Sequence, residues 1–314
     1  MTAASTASPE CPRCGYDLTG QVQTWETACP LHGVCSECGL ALDFASILDE
    51  AHARKWRFFE IAERRLFNAW VVTTRRALRP WVFWSWVRME HQIKARRAWY
   101  GAIVGALSLY MGLGVLIAAV LTLANYLPAR LGWMRGFWWR QWVLDQLGSE
   151  LKQALNPWSE YSYYRHWMGS VIAHSIIALL VLLITPFTFV LLPNTLRAAK
   201  VRKRHLVRIT AWSIIVPPLL LSLVSGAISL AKTIETWSAG DWAGRVTHFE
   251  SRFEGRLICV VAIAWVALWW FYACRDYLKL PRALAIAGAM ITIATLLAVL
   301  ITMLIPGADV PLTT

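Results

Sequence analysis

The chain has 314 residues, of which 57% are hydrophobic and only 16% charged, and its formal net charge is +12. Charged residues usually make up about a quarter of a soluble domain, whereas residues 98–305 contain long stretches without any charge. This composition excludes an ordinary soluble domain and favours a membrane protein whose apolar segments lie in a bilayer.

The composition changes along the chain and predicts five regions. These are a disordered N-terminus (1–10), a zinc ribbon (11–45), basic amphipathic helices at the membrane interface (46–97), a transmembrane domain of about five helices (98–305) and a short tail (306–314). The first ten residues lack the basic and apolar segments of a signal peptide, so the first span is expected to act as the insertion signal. The expected fold class is an all-α polytopic membrane protein with a small N-terminal zinc ribbon.

Four of the seven cysteines form two C-x2-C pairs, each followed by glycine. They are called the four ribbon cysteines below: Cys11, Cys14, Cys35 and Cys38. Zn²⁺ prefers four thiolates in a tetrahedron, and a two-residue gap lets one tight turn present two sulfurs to the same ion. Each glycine can adopt a positive φ, which is expected to aim backbone N–H groups at the sulfurs. The pattern predicts a Zn²⁺ site, and no catalytic or cofactor-binding residue is predicted beside it.

Two alternatives to this ligand set remain open. One is a pair of disulfides, which persist mainly in oxidising compartments, whereas the topology predicted below places the ribbon in the cytoplasm. The other is replacement of a ligand by Cys29 or His32, which also lie three residues apart. The glycine that follows each C-x2-C pair favours the four ribbon cysteines, so Cys29 is interpreted as a small buried apolar residue or a free thiol.

The string CPRCGYDLTG followed by CSECGL resembles the head of a large group of uncharacterised bacterial proteins that join a zinc ribbon to a multi-pass membrane domain. The similarity is specific over residues 11–40 and extends more loosely through residues 78–80 and 83–91. The membrane part is distantly similar to Yip1-like membrane domains. The resemblance implies the zinc site and the architecture, and it implies no activity.

Residues 51–97, called the basic arm below, hold twelve bases and three acids interleaved with five tryptophans. At 100° per residue, one helical face carries Phe59, Ala62, Leu66 and Trp70, and the opposite face carries Arg57, Glu60, Arg64, Asn68 and Arg75. Pro80 should end this helix. A basic amphipathic helix with large aromatic side chains suits the headgroup region, so the expected partners are the bilayer and anionic lipid headgroups. Nucleic acid is the competing partner, and it ranks below lipid because the arm directly precedes a span.

Five segments are apolar enough and nearly or fully long enough to be transmembrane helices: Trp99–Leu127, Met168–Leu196, Ala211–Leu230, Leu257–Cys274 and Ala283–Ile305. A helix needs about 20 residues to cross the roughly 30 Å hydrocarbon core, and its backbone groups must be paired within the segment. The adjacent prolines 217 and 218 should kink the third span.

Three dense clusters of Lys and Arg predict the orientation. They lie before the first span, between the second and third, and between the fourth and fifth, at residues 94–97, 197–208 and 275–282. Five crossings put all three clusters on one side, which the positive-inside rule assigns to the cytoplasm. The prediction is therefore a multi-pass protein of the plasma (inner) membrane, with the N-terminus in the cytoplasm and the C-terminus outside. Five bases in the loop 128–167 oppose this assignment.

The sequence contains no nucleophile elbow, phosphate loop, HExxH motif or carboxylate inside a span, so it predicts no enzyme. Residues 1–50 carry one base and seven acids, a charge unsuited to phosphate binding. The predicted function is a cytoplasmic ribbon that acts as a protein-docking or structural module, with a protein partner at the ribbon. The alternative is a transporter or channel component capped by the ribbon. Only the kinked third span and His174 in the second favour it, and the preferred interpretation of His174 is a neutral histidine that bonds to a neighbouring helix.

Overall fold

A computed structural model describes residues 9–25, 30–48, 58–90, 93–130, 165–191, 200–220 and 243–304, together with residues 148 and 223. In chain order its elements are α1 Thr19–Gln23, β1 His32–Val34, β2 Ala41–Asp43, α2 Phe44–Leu48, α3 Leu66–Ala77, α4 Pro80–Trp86, α5 Ala95–Arg130, α6 Arg165–Leu191, α7 Lys203–Ser213, α8 Ala243–Tyr272, a π-helix Ala273–Tyr277 and α9 Ala283–Met303. The described chain is thus mostly helical, as the sequence predicts.

The ribbon contains the two short strands, which pair antiparallel with His32 opposite Asp43. Its apolar core is small, with Leu18, Leu42 and Phe44 buried. A side chain at Gly33 would collide with the Phe44 ring, so this strand position requires glycine. So small a core stabilises little structure by itself, and domains of this size usually depend on a metal or on further contacts.

The described part of the basic arm, from Phe58 onward, starts with a buried turn where the sequence predicted helix. The N–H groups of Ile61 and Ala62 both donate to the carbonyl of Phe58, and α3 starts only at Leu66. Glu60, which the helical periodicity placed on the polar face, is completely buried. The prediction is wrong here because a distant arginine binds the Glu60 carboxylate, as described below. The end of the helix is confirmed, since Pro80 is the first residue of the next helix, α4.

Three described helical segments are long and apolar enough to cross a membrane: Ala95–Val120, Cys259–Tyr277 and Ala283–Met303. They correspond to the first, fourth and fifth predicted spans. The second predicted span overlaps α6, whose described side chains form a shorter apolar helix, Ile176–Phe189. The third is interrupted by a turn at residues 214–215 and is helical again at 216–220, and most of its remainder lies outside the described residues.

The chain divides into two compact units. The first comprises Met1–Ile103, Thr185–Ser213 and Ala267–Thr292, and it contains the ribbon and the described part of the basic arm. Its core is built from stacked and edge-on aromatic rings, in which Trp84 lies 5.0 Å from Trp269 between ring centroids. This core surrounds the buried polar groups of the candidate site.

The second unit comprises Val104–Ile184, Ile214–Val266 and Ile293–Thr314. Its described helices expose many large apolar side chains, among them Leu107, Leu116, Leu296 and Leu300. Contiguous apolar surface of this kind is rare on a protein that is surrounded by water. The exposed side chains therefore fit helices whose outer faces contact lipid.

Candidate metal centre

The four ribbon cysteines converge on one point. Their Sγ atoms all lie within 4.8 Å of one another, with 3.6 Å between Cys11 and Cys38 and 3.7 Å between Cys14 and Cys35. A Zn–S bond of about 2.3 Å in a tetrahedron implies sulfur–sulfur distances of about 3.8 Å. All four thiols are free, with no disulfide among them. The four sulfurs are therefore close enough together to share one metal ion.

The two C-x2-C turns have the same backbone structure. In the first, the Gly15 N–H donates to the Cys11 carbonyl at 2.9 Å, and the Cys11 N–H donates to the Tyr16 carbonyl at 2.8 Å. The second turn repeats both bonds around Cys35. Gly15 and Gly39 have φ of +82° and +66°, a left-handed conformation that residues with a Cβ adopt only at a cost. Glycine therefore closes both turns without backbone strain.

Backbone N–H groups from within the turns and from the residue after Gly39 reach the sulfurs. Those of Arg13 and Cys14 bond to the Cys11 sulfur, and the equivalent pair bonds to the Cys35 sulfur. The Leu40 N–H, directly after Gly39, bonds to the Cys38 sulfur, so backbone N–H groups reach the sulfurs as expected, while the N–H groups of the two glycines bind carbonyls. Burial raises the pKa of the Cys11 thiol well above its ordinary value. A bound cation would reverse this effect, because a coordinating thiol is deprotonated.

Of the two alternative ligands, only His32 lies in the described part of the chain. His32 is exposed in β1 and is absent from the group of side chains that can share a metal ion. Cys29 lies outside the described residues, as does the side chain of His174 within α6. Four sulfurs complete a tetrahedral shell, which is typical of a structural metal site and leaves no open position for a substrate.

The ribbon contacts residues 200–208, called the ribbon-binding segment below. At the first turn, His205 Nε2 lies 2.7 Å from the Pro12 carbonyl oxygen, and the Arg202 N–H donates to the Arg13 carbonyl at 3.0 Å. These bonds use carbonyls between the first two metal-site cysteines. The ribbon-binding segment therefore recognises the backbone of the C-x2-C turn itself.

Lysine and arginine side chains of the same segment extend the contact. Lys200 Nζ donates to the carbonyl of Glu37 at 2.6 Å and to its carboxylate at 2.8 Å. The Arg202 guanidinium lies 2.6 Å from the carboxylate of Glu10. Since Glu37 belongs to the second C-x2-C turn and Pro12 to the first, the segment binds both halves of the candidate metal site.

A buried polar network extends from this contact into the aromatic core of the first unit. Its members are Glu60, His205, Arg208, Trp212 and Tyr277. The Glu60 carboxylate accepts from Arg208 Nε at 3.0 Å and Nη2 at 2.8 Å, and from Trp212 Nε1 at 3.0 Å. Arg208 Nη1 donates to the Tyr277 hydroxyl at 2.9 Å. Burial alone would lower the pKa of Arg208, but the Glu60 carboxylate raises it, so the arginine stays charged.

The hydrogen bonds of His205 have one consistent direction. The Pro12 carbonyl can only accept, so Nε2 carries the proton that it receives. Neutral histidine then has an acceptor at Nδ1, to which the Tyr277 hydroxyl donates across 2.7 Å. Burial, together with the nearby Arg208 charge, lowers the pKa of His205 to about 3. A neutral histidine thus links the ribbon to Tyr277, the last residue of a candidate span.

Sequence reasoning missed this network. Glu60 and Arg208 lie 148 positions apart, so neither helical periodicity nor motif spacing relates them. Arg208 was counted among the bases of a cytoplasmic loop, where only its charge mattered. Trp212 was read as part of an apolar span, although its N–H donates to Glu60.

Comparison with protein-family models, with curated proteins and with solved structures finds no match for this chain. The resemblance to ribbon-headed bacterial membrane proteins therefore stays a prediction. What the site can do follows from its own chemistry: it gathers four thiols within 4.8 Å of one another and fixes both C-x2-C turns on a basic segment of the same chain.

Proposed function

We propose that the chain is a non-enzymatic multi-pass membrane protein whose zinc-loaded cytoplasmic ribbon is a structural and protein-docking module. The observation that carries this proposal is the seating of the ribbon on residues 200–208. Lys200 binds one C-x2-C turn while His205 binds the other. A ribbon fixed in this way has a defined position beside the membrane domain, which is what a structural module or a docking platform requires.

Zinc is the proposed metal because of the donor set. Four thiolates in a tetrahedron suit Zn²⁺ and also iron, whereas harder ions prefer oxygen ligands. The closed shell gives the ion a structural role, since it would hold the two turns of a ribbon that has only a small apolar core. Metal analysis of the purified protein distinguishes zinc from iron.

Five crossings with the N-terminus inside remain the proposed topology. Three spans are supported by helices of sufficient length and hydropathy. The first compact unit also contains at least part of each of the three basic clusters that the positive-inside rule assigned to the cytoplasm. A direct contact also supports the assignment of two of these clusters to the same side of the membrane. Tyr277, at the end of one span, binds Arg208 in the loop before another.

Lipid headgroups are the proposed partner of the basic arm. The helix α3 exposes Leu66, Phe67 and Val71, with 75% of Phe67 accessible. It is fixed to the start of the first candidate span by Trp70, whose Nε1 donates to the Gly101 carbonyl at 3.0 Å. An exposed apolar face beside the first residues of a span lies at the depth where aromatic side chains prefer the interface.

A protein is the proposed partner of the ribbon itself. Leu31 and Val34 are 64% and 61% exposed at β1, and neither residue contacts the ribbon-binding segment in the bonds described above. Apolar side chains at an exposed strand suit a protein surface better than the phosphates of nucleic acid, which require Lys and Arg.

Photo-crosslinking in native membranes tests the docking role. A photoreactive amino acid at position 31 should give a discrete protein adduct, whereas the same group at the exposed but polar Gln23 of the ribbon should give much less. Equal adduct formation at both positions, or none at either, would overturn the docking role and leave the ribbon with the structural one.

A transporter or channel component is the second candidate. One observation favours it: the third predicted span is interrupted at residues 214–215, just before Pro217 and Pro218. Discontinuous helices often form the binding sites of transporters. A solute flux in reconstituted vesicles that disappears when the turn is replaced by helix-forming residues would support this function over the first.

A further inference from the structure

The ribbon-binding segment makes specific contacts with the ribbon. Lys200 takes a left-handed backbone conformation, with φ of +48°, and its Nζ makes two bonds to Glu37. A basic loop that served only to orient the protein in the membrane would need no specific partner.

The charge and shape of the surface match a metal-loaded ribbon. Four thiolates around a divalent ion leave a net charge of about −2, and the carboxylates of Glu10 and Glu37 lie on the same side. Lys200 of the segment binds the Glu37 carboxylate, and Arg202 binds the Glu10 carboxylate. Its contacts span both C-x2-C turns, and the metal is what would fix the distance between the turns. The surface therefore fits the loaded ribbon better than a metal-free one.

The same segment leads directly into the membrane domain. His205 binds Pro12 of the ribbon with one ring nitrogen and Tyr277 with the other. Tyr277 ends the candidate span Cys259–Tyr277 within a π-helix, a local distortion that is frequent at functional positions. One turn further along α7, Arg208 binds Tyr277 as well. A displacement of the ribbon would thus remove a hydrogen-bond partner from the group that holds the end of a span.

We propose that residues 200–208 form a sensing surface whose partner is the metal-loaded ribbon of the same chain, so that metal occupancy sets the order of α7 and of the adjoining span end. The inference rests on the proposed metal site and goes beyond it. Loss of the ion separates the two turns, releases Lys200 and Arg202, and leaves His205 without its bond to Pro12. By linkage, weakening the surface must also weaken metal retention.

Two glycines provide a matched pair of variants. A Cβ at Gly15 would overlap the Arg202 guanidinium, whereas a Cβ at Gly39 meets nothing within 4 Å. Both positions have positive φ, so alanine strains both turns to a similar degree. Because the guanidinium is the end of a flexible side chain, Gly15→Ala should displace Arg202 from Glu10, while Gly39→Ala carries the backbone strain without the collision.

Hydrogen exchange of the full-length protein in nanodiscs, with metal content measured on the same samples, tests the proposal. Chelation should raise amide exchange at residues 202–208 and 273–278 by about tenfold or more, and Gly15→Ala with its metal still bound should raise it by a smaller factor, because it removes only the Arg202 contact. Gly39→Ala should leave both regions near the wild-type rate. Unchanged exchange after verified removal of the metal would overturn the inference and leave the metal site standing, whereas absence of metal from the wild-type protein would overturn both.

A second pair of variants decides the matter if Gly15→Ala fails to retain metal. Lys200→Gln removes the contact with Glu37, and Lys203→Gln removes the same charge from an exposed position nearby. The first should release zinc to a chelator several-fold faster than wild type, since the ribbon and its surface stabilise each other. The second should release it at the wild-type rate. Equal release from both variants would refute a specific surface.

Discussion

Removing the Glu60 carboxylate should destabilise the first unit severely. In Glu60→Ala the guanidinium of Arg208 remains, with no exposed surface in the structure, and it loses the acceptor of its Nε and Nη2 donors. Trp212 Nε1 loses its acceptor as well. Breaking one side of a buried ion pair typically costs about 3–5 kcal/mol, which raises the ratio of unfolded to folded protein at least a hundredfold, since about 1.4 kcal/mol is a factor of ten.

Equilibrium unfolding in detergent micelles, followed by circular dichroism, measures this cost. Arg275→Ala is the control, because the Arg275–Asp276 pair is half exposed and such pairs contribute below about 1 kcal/mol. The double variant Glu60→Leu/Arg208→Met removes both charges and should be more stable than either single variant, since apolar replacements of a buried pair are often tolerated. A cost for Glu60→Ala no larger than that of the control would refute the burial of this pair.

Three further predictions concern pH, topology and lipid contact. The pKa of His205 is about 3 in the folded protein and about 6.5 in the unfolded chain. The contribution of His205 to the free energy of unfolding is therefore complete above pH 6.5 and is lost as the pH falls toward 3. The stability difference between wild type and His205→Gln should therefore shrink by about 1 kcal/mol per pH unit in that window, and a constant difference would contradict the buried neutral state. A cytoplasm-active reporter fused after Arg204 and a periplasm-active one after Thr314 should both be active, and activity on the wrong side at either point would contradict five crossings. A fluorescent amino acid replacing Phe67 should emit as in an interfacial environment, one replacing the exposed Gln23 as in water, and identical spectra would contradict lipid contact at α3.

Features encoded by local spacing were predictable from the sequence. The convergence of the four ribbon cysteines follows from two C-x2-C turns with glycine, because each turn is closed by bonds within six residues. The candidate spans follow from runs of apolar residues, and the break before α4 follows from Pro80, whose ring ends a preceding helix. In each case the relevant interactions connect residues close together in the chain, where sequence patterns carry information.

Features that depend on distant contacts were not predictable. Glu60 fits the polar face of an ideal helix, yet its partner Arg208 pulls it into the core and the chain forms a turn there. Lys200 and Arg202 were interpreted only as bases that orient the chain, because the positive-inside rule counts charges without reference to partners. The contact that matters most for the proposed role, between the ribbon and this segment, joins residues more than 160 positions apart.

The metal content of the intact, detergent-purified chain tests the central claim most directly. The proposed site predicts about one zinc per chain, because a four-thiolate shell holds one ion. Cys14→Ser should lose most of that zinc, and Cys29→Ser should retain it. A chain that purifies folded without zinc or another metal, or that loses zinc in Cys29→Ser and keeps it in Cys14→Ser, would contradict the account.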